Sequence, residues 1–123
     1  MGNAPWLAHY PRAVPFSINP DRYTSLVNFF EECFARYRDL PMCENMGQVM
    51  SYGKIDDLSR AFAAYLQGHT GLQPGAHIAI QLPNLLQYPI ALLGTLRAGM
   101  VVVNLNPLYT PVSYTHLTLP TKA

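Results

Sequence analysis

A chain of 123 residues holds one modest domain or part of a larger one, because domains typically run to about 100–200 residues. Half of the residues are hydrophobic and 12% are charged, which excludes intrinsic disorder, a state that needs low hydrophobicity and high charge. The formal charge is +1 with no basic cluster along the chain, leaving no electrostatic basis for gripping nucleic acid or an anionic membrane.

The N-terminus has no positive region followed by an apolar one, so it does not read as a secretory signal, and Trp6 stands where a myristoylation pattern wants Ser or Thr. The expected compartment is cytoplasmic. Pro5, Pro11, Pro15 and Pro20 each remove a backbone donor and restrict the preceding residue, so residues 1–24 cannot form a long helix or a central strand. They read as an extended, proline-rich arm. Its apolar side chains, among them Trp6, Tyr10, Phe16 and Ile18, imply an arm that lies on a larger body.

From Ser25 the pattern changes. Leu26, Phe29, Phe30, Cys33, Phe34 and Tyr37 recur at the spacing of one helical face, with Ser25 as cap and Asp39 and Pro41 as terminators. This aromatic stripe is read as core. Residues 42–45 and 48–51 flank Met46-Gly47, a two-residue link whose glycine tolerates positive φ, and predict a β-hairpin. A second helix is predicted from about Lys54, with Ile55, Leu58, Phe62, Tyr65 and Leu66 on one face; it ends near residues 68–71.

Pro74-Gly75 fits the centre of a type II turn. Residues 78–82 are a short apolar run of strand length, which Pro83-Asn84 stops. Residues 85–98 predict a mostly apolar helix with Pro89 in its first turn and Gly99 at its end, and Val101-Val102-Val103 starts another strand. Strand, helix and strand make a βαβ unit, hence a parallel pair with a right-handed crossover. Parallel strands are usually covered on both faces, which these few elements cannot achieve, so the expected fold is the opening part of a larger α/β domain.

A search for chemistry among these elements yields no catalytic, cofactor-binding or metal site. Gly94 and Gly99 have the spacing of a phosphate loop, but Met100 and Val101 occupy its Lys and Ser/Thr positions. Asp56 and Asp57 would point about 100° apart on a helix and cannot form a facing acid/base pair, so both are assigned to a solvated face. His9, His69, His77 and His116 fall in different segments and are read as surface or turn residues. Cys33 and Cys43, with no C-x-x-C spacing, are read as buried, reduced thiols. No G-x-S-x-G elbow surrounds a serine. Residues 90–103, the longest apolar stretch, are interrupted by Thr95 and Arg97 and fall short of the ~20 residues that span a bilayer.

Two stretches carry a resemblance to a known family. Residues 82–91, LPNLLQYPIA, run into Leu96-Arg97-Ala98-Gly99-Met100-Val101-Val102-Val103-Asn104 and then Asn106-Pro107-Leu108-Tyr109-Thr110-Pro111. Ile18-Asn19-Pro20-Asp21-Arg22-Tyr23, Ser51-Tyr52 with Leu58, and Gln73-Pro74-Gly75 agree in order. Together they resemble the N-terminal part of the long-chain fatty-acid CoA ligases of the adenylate-forming (AMP-binding) superfamily. Ala76 departs from the acidic residue usual after that glycine, a difference confined to a turn.

The resemblance implies a ligase that activates a long-chain fatty acid with ATP and Mg²⁺ as an acyl-adenylate, from which coenzyme A displaces AMP to give the thioester. It also implies that the phosphate-binding loop and the lid lysine are absent from this sequence, so no catalytic residue is carried over. The 123 residues by themselves are then expected to be inactive and to bind none of ATP, Mg²⁺ or coenzyme A. Peripheral attachment to the inner face of a membrane and homodimerisation stay open. Residues 25–111 would be a partial N-terminal subdomain of an AMP-binding domain. Residues 112–121, VSYTHLTLPT, match the in-frame translation of a transposase-type sequencing adaptor, and 112–123 are read as a non-native tail. The alternative from another class is a small noncatalytic interaction module derived from such a ligase.

Overall fold

The computed structural model describes residues 4–110. The adaptor-like residues 112–123, Pro111 and His116 lie outside them. The arm opens with a 3-10 turn, Pro5–His9, in which proline takes an early position where no N–H is needed. Further turns follow, closed by Val14 N–H to Pro11 O at 3.0 Å and Arg22 N–H to Asn19 O at 3.2 Å. Its large apolar side chains are open to solvent, Phe16 at 69% and Ile18 at 85% exposure.

Helix α1, Leu26–Arg36, starts where Ser25 Oγ accepts the Asn28 N–H at 3.0 Å. The aromatic stripe is only partly core. Phe34 is buried, whereas Leu26 and Tyr37 are exposed, because α1 packs on α2 and α3 along one flank only. Edge-on ring contacts link Tyr23 to Phe29 at 4.9 Å and Phe29 to Phe30 at 5.3 Å.

The predicted hairpin forms from β1, Pro41–Asn45, and β2, Gln48–Ser51, paired antiparallel with an irregularity between Pro41 and Cys43. Both link residues have positive φ, Met46 at 50° and Gly47 at 81°, the backbone of a type I′ turn, whose twist matches that of the strands.

Helix α2, Tyr52–His69, begins two residues before the predicted start, because Ser51 Oγ accepts the Lys54 N–H at 3.1 Å and caps it. Its first turn is tight against the α1–β1 connection. Gly53 N–H donates to Arg38 O at 2.9 Å, and a Cβ at Gly53 would lie 2.8 Å from Arg38 Cγ.

The βαβ unit is present, with β3 at His77–Ile80, α3 at Gln87–Arg97 and β4 at Val101–Asn104. The strands are parallel, in the register His77↔Val101 to Ile80↔Asn104. A type II turn precedes β3: Gly75 has φ 87° and Ala76 N–H donates to Gln73 O at 3.0 Å. Gly99, with φ 79°, ends α3. β3 stops at Ile80 rather than residue 82, because Gln81 turns aside and its side-chain amide donates to Asn106 O at 3.3 Å.

Helices α2 and α3 make the most extensive packing in the molecule. Gly94 permits their close approach, since a Cβ there would lie 2.6 Å from a Phe62 ring carbon and 3.0 Å from Ser59 O. Two apolar clusters result. One gathers Ala63, Leu66, Ala98 and Met100 with Ile78 of the sheet; the other gathers Phe34, Ile55 and Leu93 with hairpin residues Met42, Cys43 and Met50.

Candidate functional site

Between these clusters lies a charged centre that corrects the reading of Asp56 as solvated. Asp56 is 5% exposed. Arg97, from the last turn of α3, reaches its Oδ1 at 2.6 Å. Arg60 Nε donates to the same oxygen at 3.0 Å, and Arg38 reaches Oδ2 at 3.3 Å. The guanidinium of Arg97 also donates to Asp56 O at 3.0 Å and Ser59 Oγ at 3.2 Å, and it lies 5.1 Å above the Phe34 ring.

The helical geometry that separates neighbouring residues by about 100° explains the outcome. Asp56 turns toward α3, while the Asp57 side chain stays 62% exposed and meets only Arg38. Burial pushes the Asp56 carboxyl upward, but hydrogen bonds from Arg97 and Arg60, with their charges, outweigh it and hold it below the usual carboxylate range. A carboxylate so engaged is a poor proton acceptor. The centre joins three helices and does no acid/base work.

The signal for this pair was an arginine in an apolar run. Charged groups are buried almost only when paired, so Arg97 required an acid from another element. Thr95, the other polar residue of that run, is fully buried and satisfied by donating to Ala91 O at 2.7 Å.

The remaining singled-out residues do not converge. His9 ends the 3-10 turn, His69 ends α2 stacked on Tyr65 at 5.7 Å, and His77 opens β3 rather than lying in a turn. Among the described residues no cluster of His, Cys, Asp and Glu could hold a metal ion. Cys33 and Cys43 are free but half-buried, not buried, since α1 and the hairpin are covered on one side only. Burial pushes the Cys43 thiol up from its ordinary value. No helix among the described residues is long and apolar enough to cross a membrane.

The best-placed concavity is a groove of about 500 Å³ at the carboxyl ends of β3 and β4, the position where open α/β sheets receive ligands. Tyr88 Oη donates to Asn104 Oδ1 at 2.7 Å within it, and Asn84, Asn106 and Pro107 complete its wall. Asn45 at the hairpin end ties down its rim by donating to Asn84 O at 2.9 Å. Neutral amides and a phenol can orient a ligand there; they supply no nucleophile and no general base.

The fold is thus an α/β arrangement whose ligand-accepting end is built from polar, uncharged side chains. A model of the AMP-binding enzyme family matches residues 30–120, and the chain belongs to that family. It is 60% identical over 111 residues to a long-chain-fatty-acid–CoA ligase of Escherichia coli O6:H1 (strain CFT073), an alignment covering 90% of this chain and 20% of that protein. The chain therefore spans about a fifth of the length of such curated relatives.

Among solved structures, the N-terminal subdomain of NpsA from Klebsiella oxytoca in complex with anthranilyl-AMSN superposes with a TM-score of 0.72 at 21% identity, covering 77% of this chain and 25% of that one, a likeness of fold alone. Apo MbtA of Mycobacterium smegmatis gives a TM-score of 0.71 at 29% identity over 77% of this chain and 18% of its own. These neighbours bear out the expected fold class, an N-terminal part of the adenylate-forming fold with a β-hairpin and a parallel βαβ unit.

Proposed function

We propose that the chain is the N-terminal part of a long-chain fatty-acid CoA ligase, which uses ATP and Mg²⁺ to convert a fatty acid to its acyl-adenylate and then passes the acyl group to coenzyme A. The observation that carries this reading is 60% identity across 90% of the chain to a curated long-chain ligase. In this role the segment is scaffold: the Asp56–Arg97 centre locks α2 to α3, and α3 sets the register of β3 and β4. Neither reaction step is assigned to a side chain of this segment, and the chain alone is expected to be inactive, with no binding of ATP, Mg²⁺ or coenzyme A.

Residues 112–123 belong to the same proposal as an adaptor-derived tail. The 111-residue alignment has the length left when they are set aside, although the family match reaches residue 120. Cytoplasmic placement, with peripheral attachment to a membrane, rests on the family likeness alone.

The test is a chimera in which residues 1–111 replace the matching segment of the Escherichia coli relative. Palmitate-dependent release of pyrophosphate and formation of palmitoyl-CoA at a rate within about tenfold of the parent is the expected result. A soluble, folded chimera without either activity would count against the reading, as would ATP turnover by the 123-residue chain alone.

A further inference from the structure

We propose that the uncovered face and edges of the β3–β4 sheet are a preformed docking surface that accepts, as a separate chain, the part of a long-chain ligase that follows this segment in the relatives. The inference rests on the ligase reading above.

Alternate residues of a strand share a face, and parallel partners point the same way. Ile78 and Ile80 face the helices: Ile80 is buried and Ile78 packs with Ala63, Leu66, Ala98 and Met100. The opposite face carries His77 and Ala79 of β3 beside Val101 and Val103 of β4. His77 and Ala79 are exposed and Val101 is 42% exposed. Parallel sheets occur almost only with both faces covered. Here one layer is in place, and β3 and β4 pair only with each other.

The size of the face decides what can occupy it. Two strands of four residues, at ~3.3 Å per residue and ~4.8 Å apart, present a patch of roughly 13 by 10 Å. Specific association needs about 800 Å² per partner, so a second copy meeting this face alone buries far too little. A partner that adds a strand to a free edge and lays a helix over the face gains backbone hydrogen bonds as well as apolar area. The relatives supply such a partner, because four-fifths of their length lies outside the matched segment. The chain also leaves β4 toward it, through residues 105–110, where Leu108 is 86% exposed.

The test co-expresses the tagged 123-residue chain with the Escherichia coli relative lacking its matching 111 residues. The expected result is a 1:1 complex on tag purification, with palmitate-dependent ATP–pyrophosphate exchange at least tenfold above either chain alone. Ala79→Asp and Val101→Lys, each with unchanged far-UV circular dichroism, are expected to cut recovery of the partner at least tenfold. No co-purification, aggregation of both chains despite co-expression, recovery insensitive to both substitutions, or a dimer of the 123-residue chain abolished by them would each overturn the inference. The covalent chimera separates the two readings: an active chimera with no assembly in trans removes only the docking surface, whereas an inactive folded chimera removes the ligase reading itself.

Discussion

Arg97 serves as both ion-pair partner and spacer. It neutralises Asp56 at 2.6 Å and covers the Phe34 ring, so removing it leaves a buried carboxylate short of its nearest partner. Breaking a buried pair costs about 3–5 kcal/mol, and Arg97→Met is expected to lower stability by that amount in urea unfolding followed by circular dichroism. The pH dependence has a definite sign. A carboxyl held below its unfolded value near ~4 contributes stability above that value and loses it as pH falls through the folded value. Asp56→Asn should therefore be less stable at pH 7 and show a flatter decline below pH ~4. Gly94 is the other decisive residue. Alanine there gains up to ~1 kcal/mol of helix propensity but forces a contact at 2.6 Å on Phe62 and 3.0 Å on Ser59 O. Overpacking costs about 1–3 kcal/mol, so Gly94→Ala should destabilise and Gly94→Val more so, measured the same way.

Among the elements, the local signals divide by range. Ser25 was legible as a cap because a clear apolar period follows it. Ser51 was not, since it also ends β2, and two overlapping patterns hid the start of α2. Its oxygen holds the Lys54 N–H at 3.1 Å, and Ser51→Ala is expected to cost about 1 kcal/mol in the same unfolding experiment. The hairpin offers the opposite test. Met46 sits at φ 50°, a region that disfavours most side chains by about 1–2 kcal/mol, whereas Asn-Gly is the preferred type I′ pair. Met46→Asn should raise the urea midpoint while Met46→Val lowers it.

The whole molecule is held by two clusters and one charged joint, with a sheet covered on one side. Concentration-dependent association of the isolated chain, visible by light scattering, is the expected consequence of unpaired parallel edges. The order of elements, the hairpin, the type II turn and the parallel βαβ unit were all legible, because periodicity, proline and positive-φ glycine act through the few residues around them. The family likeness was legible for a similar reason, since long runs such as residues 82–91 and 96–104 carry it without reference to the fold. What tertiary structure alone decided is the fate of the side chains that could have gone either way. Asp56 and Asp57 are adjacent and chemically identical, and only the arrival of Arg97, forty-one residues along the chain, buries one and leaves the other in water. The same holds for the aromatic stripe of α1: its spacing defines a helical face, but burial requires a neighbour, and the packing supplies one for Phe34 and none for Leu26.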